Sequence, residues 1–129
     1  MHGSEAKIRV RYEETDKMGI VYHANYFQWF EVARIQFLDE IGMPYKGLEE
    51  DGYFLPVLEC TASFKMPARF DDRVSIISNV GFQSPLRLYI EYHVFRGREK
   101  LAEGSTTHAF VCNQGKVIRP PDLFTKLVK

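Results

Sequence analysis

Apolar and charged residues alternate over 8–12: Ile8, Val10 and Tyr12 fall on one side, Lys7, Arg9, Arg11 and Glu13 on the other. A period of two predicts a strand with one wet face. The N-terminal MHGSEAK is left out of the expected fold, and the following ETDKMG reads as a turn. Over 24–41 the period changes. Tyr26, Phe30, Ala33, Phe37 and Ile41 recur at spacings of three and four, and Trp29, Val32 and Leu38 widen the stripe. This predicts one long helix whose narrow polar side carries Glu31, Arg34, Asp39 and Glu40, apolar enough to be wrapped by other structure. Gly42 suits the position just past a helix end, and Pro44 follows it. Residues 45–51 add a short helical turn.

The remainder is β-patterned. Strands are expected over 55–65, 73–82, 86–96 and 100–113, with breaks at 67–72, at Ser84-Pro85 and at Gly97. The clearest is LRLYIEYHV, in which Leu86, Leu88, Ile90, Tyr92 and Val94 share one face. Gly115 marks a last hairpin into a short strand over 116–119, and Asp122 is placed as the N-cap of a terminal helix, DLFTKLV. One strand, one long buried helix and a run of hairpin-connected strands make an α+β pattern, packed most economically as an antiparallel sheet curled around the helix. No repeat, low-complexity tract or linker interrupts it, so residues 1–129 are expected to form one domain.

Composition narrows the partners. Hydrophobic residues at 45% and charged residues at 26% place the chain among globular domains rather than disordered ones. The 17 basic and 17 acidic residues cancel, which removes any global field for nucleic acid or an anionic membrane and leaves room only for a local basic pocket. No apolar run reaches the ~18 residues of a membrane span, and the N-terminus lacks the apolar centre of a signal peptide. The expected location is therefore the cytoplasm. Cys60 and Cys112 belong to no metal quartet or CxxC pair and are expected as buried, reduced thiols.

Chemistry concentrates in YEETDKMGIVYHANYFQWFEVAR, residues 12–34. Through Tyr12, Thr15, Asp16, Gly19, Val21, Tyr22, His23, Asn25, Tyr26, Glu31, Ala33 and Arg34 this stretch resembles the signature of hot-dog acyl-CoA thioesterases of the 4-hydroxybenzoyl-CoA thioesterase superfamily. Within that group it is most similar to the short, YbgC-like thioesterases associated with the Tol-Pal system. A lone T-D-x-x-G would be a weak signal; so many specified positions in so short a span are a strong one. Chain length, element order and FKMPARFDD before the third strand agree.

The resemblance implies the hot-dog fold, an antiparallel sheet wrapped around one central helix. It implies hydrolysis of an acyl-CoA (or acyl carrier protein) thioester to free acid and thiol, with no metal or redox cofactor. It also implies a homodimer or homotetramer whose active site lies at a subunit interface, Asp16 of one chain facing strands of another. It gives Asp16 the role of nucleophile or general base, places an oxyanion-binding N–H at His23, and gives the side chains of Tyr12 and His23 positioning roles. Gly19, Tyr22 and Ala24 fall beside the substrate.

Elementary chemistry agrees with these roles. A carboxylate needs no tuning to be ionised at neutral pH, and it can attack a thioester carbonyl to give a mixed anhydride or draw a proton from an attacking water. Either route puts negative charge on the thioester oxygen, which the unpaired N–H groups and positive end of a helix start can hold.

Plainer readings stand beside these. Asp16 in T-D-x-x-G is also a natural turn cap, and His23 a polar residue at a helix start. Glu31 and Arg34, three apart, suit a structural ion pair. Tyr22, Tyr26, Phe27 and Trp29 suit core or interface packing, and His93 and His108 a structural place in strands. Some relatives hold the coenzyme A phosphates with a basic cluster near the third-to-fourth strand junction. Here that junction, FQSPLRL, offers only Arg87, so Lys65, Arg69 or another subunit is an alternative. A hot-dog hydratase would need a differently placed His and carboxylate, which is not found. A non-catalytic acyl-CoA-binding adaptor is opposed by intact Asp16 and Gly19.

Overall fold

The computed structural model describes residues 2–128. In chain order it contains β1 (His2–Arg9), α1 (Asn25–Glu40), α2 (Tyr45–Glu50), β2 (Val57–Phe64), β3 (Arg73–Ser84), β4 (Arg87–Arg96), β5 (Glu99–His108) and α3 (Asp122–Val128). One antiparallel sheet runs β1-β3-β4-β5-β2, so β1 and β2 form its two edges. The long helix lies on one face of this sheet in the α+β hot-dog arrangement.

The alternation in the sequence is realised most fully at the centre. Val74, Ile76, Ser78 and Val80 of β3 and Leu88, Ile90, Tyr92 and Val94 of β4 are buried on the helix face. Tyr26, Trp29, Phe30, Ala33, Phe37 and Leu38 of α1 press onto them. Phe30 stacks flat on Tyr92, with ring centroids 4.3 Å apart. Tyr92 sits opposite Gly104 of β5 in the register, where the chain has no side chain to resist the Phe30 ring. Gly42 just beyond α1 takes φ +79, the left-handed value that a glycine adopts without strain.

Several expectations are corrected. The first strand is His2–Arg9, not 8–12: residues 2–7 belong to the sheet, paired with β3 from His2↔Val80 to Arg9↔Arg73. Tyr12 lies in a single 3-10 turn, Tyr12–Glu14, with its ring in solvent. Val32 is exposed on the outer side of α1, and Leu86 is exposed in the β3–β4 hairpin rather than sharing the β4 face. β5 ends at His108; beyond it Val111 makes isolated bridges to Phe54 and Val117, so 116–119 is a bridge and not a strand. Asp122 is the first residue of α3, inside its first turn. Cys60 is exposed and Cys112 half-buried, because Cys60 stands on the edge strand β2, exposed along most of its length, and Cys112 sits in a tight turn.

Glu31 and Arg34 form no ion pair among the described residues. Arg34 turns inward and donates to the Tyr92 hydroxyl at 3.1 Å. That hydroxyl meets Thr106 Oγ1 at 2.7 Å, Thr106 Oγ1 meets His108 Nε2 at 2.8 Å, and His108 Nδ1 faces the Pro56 carbonyl at 3.0 Å. With the His108 imidazole neutral, donor capacity sets the proton order along this line. A guanidinium only donates and a carbonyl only accepts, so the Tyr92 O–H donates to Thr106, the Thr106 O–H to Nε2, and Nδ1–H to Pro56. Burial, with Arg34 nearby, holds the His108 imidazole neutral by pushing its pKa down to about 4.

Candidate active site

The T-D-x-x-G segment folds as a three-residue hairpin loop. The Asp16 N–H donates to the Ile20 carbonyl at 2.8 Å, the Gly19 N–H to the Asp16 carbonyl at 2.9 Å, and Thr15 bridges Val21. Gly19 closes the loop at φ +79, which is why a glycine stands three residues after the aspartate. Asp16 Oδ1 accepts the Met18 N–H at 2.8 Å. The turn-cap reading of Asp16 is therefore present in the structure, and it occupies one carboxylate oxygen. Oδ2 has no hydrogen-bond partner among the described residues.

The returning arm is pinned from the other side: the Val21 N–H donates to the Ala68 carbonyl at 2.8 Å, and Ile20 bridges Arg69. FKMPARFDD, residues 64–72, thus forms one wall of the site. Between this wall and the hairpin lies a cleft of about 380 Å³ lined by Asp16, Ile20, Val21, His23, Tyr26 and residues 64–67. Phe64 meets Tyr26 edge-on at 5.0 Å and His23 at 6.3 Å, giving the cleft an aromatic flank. Burial raises the pKa of the Tyr26 hydroxyl.

Just before α1 the backbone has spare donors. The N–H groups of Asn25, Tyr26 and Phe27 bond back to the carbonyls of Tyr22, His23 and Ala24, whereas those of His23 and Ala24 donate to nothing among the described residues. They stand at the positive end of a 16-residue helix.

Asp16 and His23 are thus brought into one cleft, with Gly19 shaping its turn and Ala24 beside the free N–H groups. The other candidates fall elsewhere. Tyr12 packs edge-on against Phe70 at 5.6 Å and does not line the cleft. Tyr22 is exposed beside the His23 ring, its N–H held by the Glu14 carbonyl. Arg87 begins β4 opposite Ser84, at the far end of the sheet.

Sequence reasoning missed Glu14. This carboxylate is 5% exposed; Oε2 accepts the Trp29 indole N–H at 2.9 Å and Oε1 the Arg11 backbone N–H at 2.7 Å. The available signal was the lone tryptophan, whose N–H needs a partner when buried.

A second cleft, about 700 Å³, lies at the β3–β4 hairpin, lined by Phe82, Leu86, Val117 and Ile118 with Arg119 and Lys126 among its residues. Among the described residues no cluster of His, Cys, Asp or Glu is arranged to hold a metal ion, and no helix is long and apolar enough to cross a membrane.

A family model of the thioesterase-like superfamily matches residues 10–127, nearly the whole chain and the entire site. The chain belongs to the thioesterase-like superfamily. The acyl-CoA thioesterase YbgC of Haemophilus influenzae is 30% identical over 99% of this chain and 93% of its own. Among solved structures, the Thermus thermophilus hypothetical protein TT1821 superposes with a TM-score of 0.91 at 37% identity, covering 97% of this chain and 96% of that one. The DHNA-CoA thioesterase of Staphylococcus aureus superposes with a TM-score of 0.87 at 34% identity, covering 92% and 81%. This member of the superfamily is a thioester hydrolase.

Proposed function

We propose that the protein hydrolyses acyl-CoA thioesters, with Asp16 as nucleophile or general base and the N–H groups of His23 and Ala24 as the oxyanion hole. The observation that carries this reading is the shared cleft. Asp16, with one unused carboxylate oxygen, and His23, with an unused N–H, line it, and the unused Ala24 N–H is next in the chain. The thioester carbonyl oxygen sits toward the N–H groups and the carbonyl carbon toward Asp16. In the nucleophilic route Oδ2 adds to that carbon, the C–S bond breaks, and the thiolate takes a proton from water. A second water then opens the anhydride and regenerates Asp16. In the general-base route Asp16 takes a proton from water as its oxygen adds to the carbon, and returns it to the departing thiolate.

The oligomer is part of the proposal. Within one chain, the Arg119 cleft and Asp16 lie near opposite ends of β3, whose 12 residues span roughly 40 Å. If two β2 edges pair antiparallel, the Arg119 end of one subunit comes to the same end of the joined sheet as Asp16 of the other. Arg119 and Lys126 then join Arg87, which lies at the same end of the sheet, as cations for the coenzyme A phosphates.

The deciding experiment is Asp16→Asn, which keeps the size of the side chain and an oxygen for the Met18 N–H. We expect thiol release from saturating acyl-CoA to fall by at least ~100-fold, with an unchanged melting curve. A folded Asn variant that keeps most of its turnover would return Asp16 to the role of a turn cap and favour the adaptor reading.

A further inference from the structure

The Asp16 loop and the free N–H groups before α1 belong to different elements, and their relative placement decides whether they act on one carbonyl. We propose that Glu14 and Asn25 are positioning residues that set this placement. The inference rests on the assignment of Asp16 and the helix start to the reaction.

Glu14 lies two residues before Asp16 and receives four hydrogen bonds. Its carbonyl accepts the Tyr22 N–H at 2.9 Å and the Asn25 Nδ2 at 2.8 Å; its carboxylate accepts the Trp29 indole N–H and the Arg11 N–H. Three of these four donors belong to the approach to α1 or to its first turns, on either side of His23 and Ala24. Glu14 does not line the cleft, so its effect passes through the backbone. Trp29 extends the connection, since its ring packs against Tyr26, which does line the cleft, at 4.7 Å.

The chemistry at this position is exacting. A carboxylate this deeply buried is costly unless its oxygens are bonded, and here each oxygen faces an N–H. Glutamine satisfies only one of them, because its amide nitrogen then points a donor at a donor. The charge also complements the Arg11 guanidinium, 3.7 Å from Oε2. Asn25 is the simpler half of the device: one side-chain N–H holds the first residue of the helix to the 3-10 turn that leads into Asp16.

The test uses Glu14→Gln and Asn25→Ala in the full chain, with Asp16→Asn alongside. Thiol release from an acyl-CoA gives kcat and KM; circular dichroism and the emission of the single Trp29 report folding. Both positioning variants should lose at least ~10-fold in kcat per folded molecule, since a misplacement of about 1 Å can cost ~100-fold. KM should stay within about 3-fold, because the lost interaction acts in the transition state rather than on bound substrate. Melting temperatures that fall while kcat stays at the wild-type value overturn the proposal. If Glu14→Gln does not fold, Asn25→Ala decides alone, since alanine is well tolerated at a helix start. An active Asp16→Asn removes the functional reading itself. An inactive Asp16→Asn beside fully active Glu14 and Asn25 variants removes only this inference.

Discussion

His108 shows how much a single side chain can tie to pH. Burial holds its imidazole neutral, with a pKa pushed down to about 4 from an ordinary value of 6.5. An unfolded chain therefore binds a proton at this residue more readily than the folded one, and acid favours unfolding. The contribution is fully present above pH 6.5, is lost progressively between about 6.5 and 4, and changes no further below that. Its size is on the order of 3 kcal/mol, from about 1.4 kcal/mol per pH unit. Urea unfolding from pH 7.5 down to 4 should show this loss in the wild type and a flatter profile in His108→Asn. Equal slopes for the two proteins would mean that His108 does not govern the acid limb. Its burial could not be read from the sequence, since a histidine in an alternating strand looks the same on either face.

At the scale of elements, the centre of the sheet tolerates least. A Cβ on Gly104 would collide with the Thr61 carbonyl oxygen and stand 2.7 Å from the Phe30 ring. Gly104→Ala should cost about 1–3 kcal/mol by overpacking, read as a lower denaturation midpoint. An unchanged midpoint would show that Phe30 can retreat from Tyr92 at no cost. The same contrast explains what the sequence disclosed. β4 and α1 were legible because long periodic stretches leave one reading: the helix expected over 24–41 is Asn25–Glu40. β1 was hidden because Gly3, Ser4 and Glu5 have no strand signature of their own and are held by pairing with β3. Tyr12 was misplaced because the 3-10 turn shifts the phase, turning Glu14 inward where alternation put Tyr12. Val32 was counted as core because an apolar residue on a helix carries no mark that separates core from interface. In the candidate site, the Asp16 loop was legible through turn chemistry, whereas Glu14 depends on a contact with a residue fifteen positions away.

For the whole molecule, the edge strand β2 is decisive. Val57, Leu58 and Phe64 are exposed there, as are Val32 and Ile35 on the nearby helix, a combination that invites a second copy. Light scattering at low micromolar concentration should give at least twice the chain mass of 15.0 kDa. Val57→Glu with Leu58→Glu should give a folded monomer with little thioesterase activity, because both side chains are already exposed in one chain. A wild-type monomer that turns over acyl-CoA would overturn the proposed assembly. The line from Arg34 to Pro56 joins α1 to the chain just before β2, both of its ends lining one surface cleft, and its proton order has a last consequence. Hydroxyls and an imidazole in series have the look of a conduit for protons. This one does not conduct, because transport requires every link to reverse, and neither the guanidinium at one end nor the carbonyl at the other can exchange roles. Protons released or consumed in catalysis should therefore reach solvent through the open cleft, and turnover per folded molecule should be indifferent to this line.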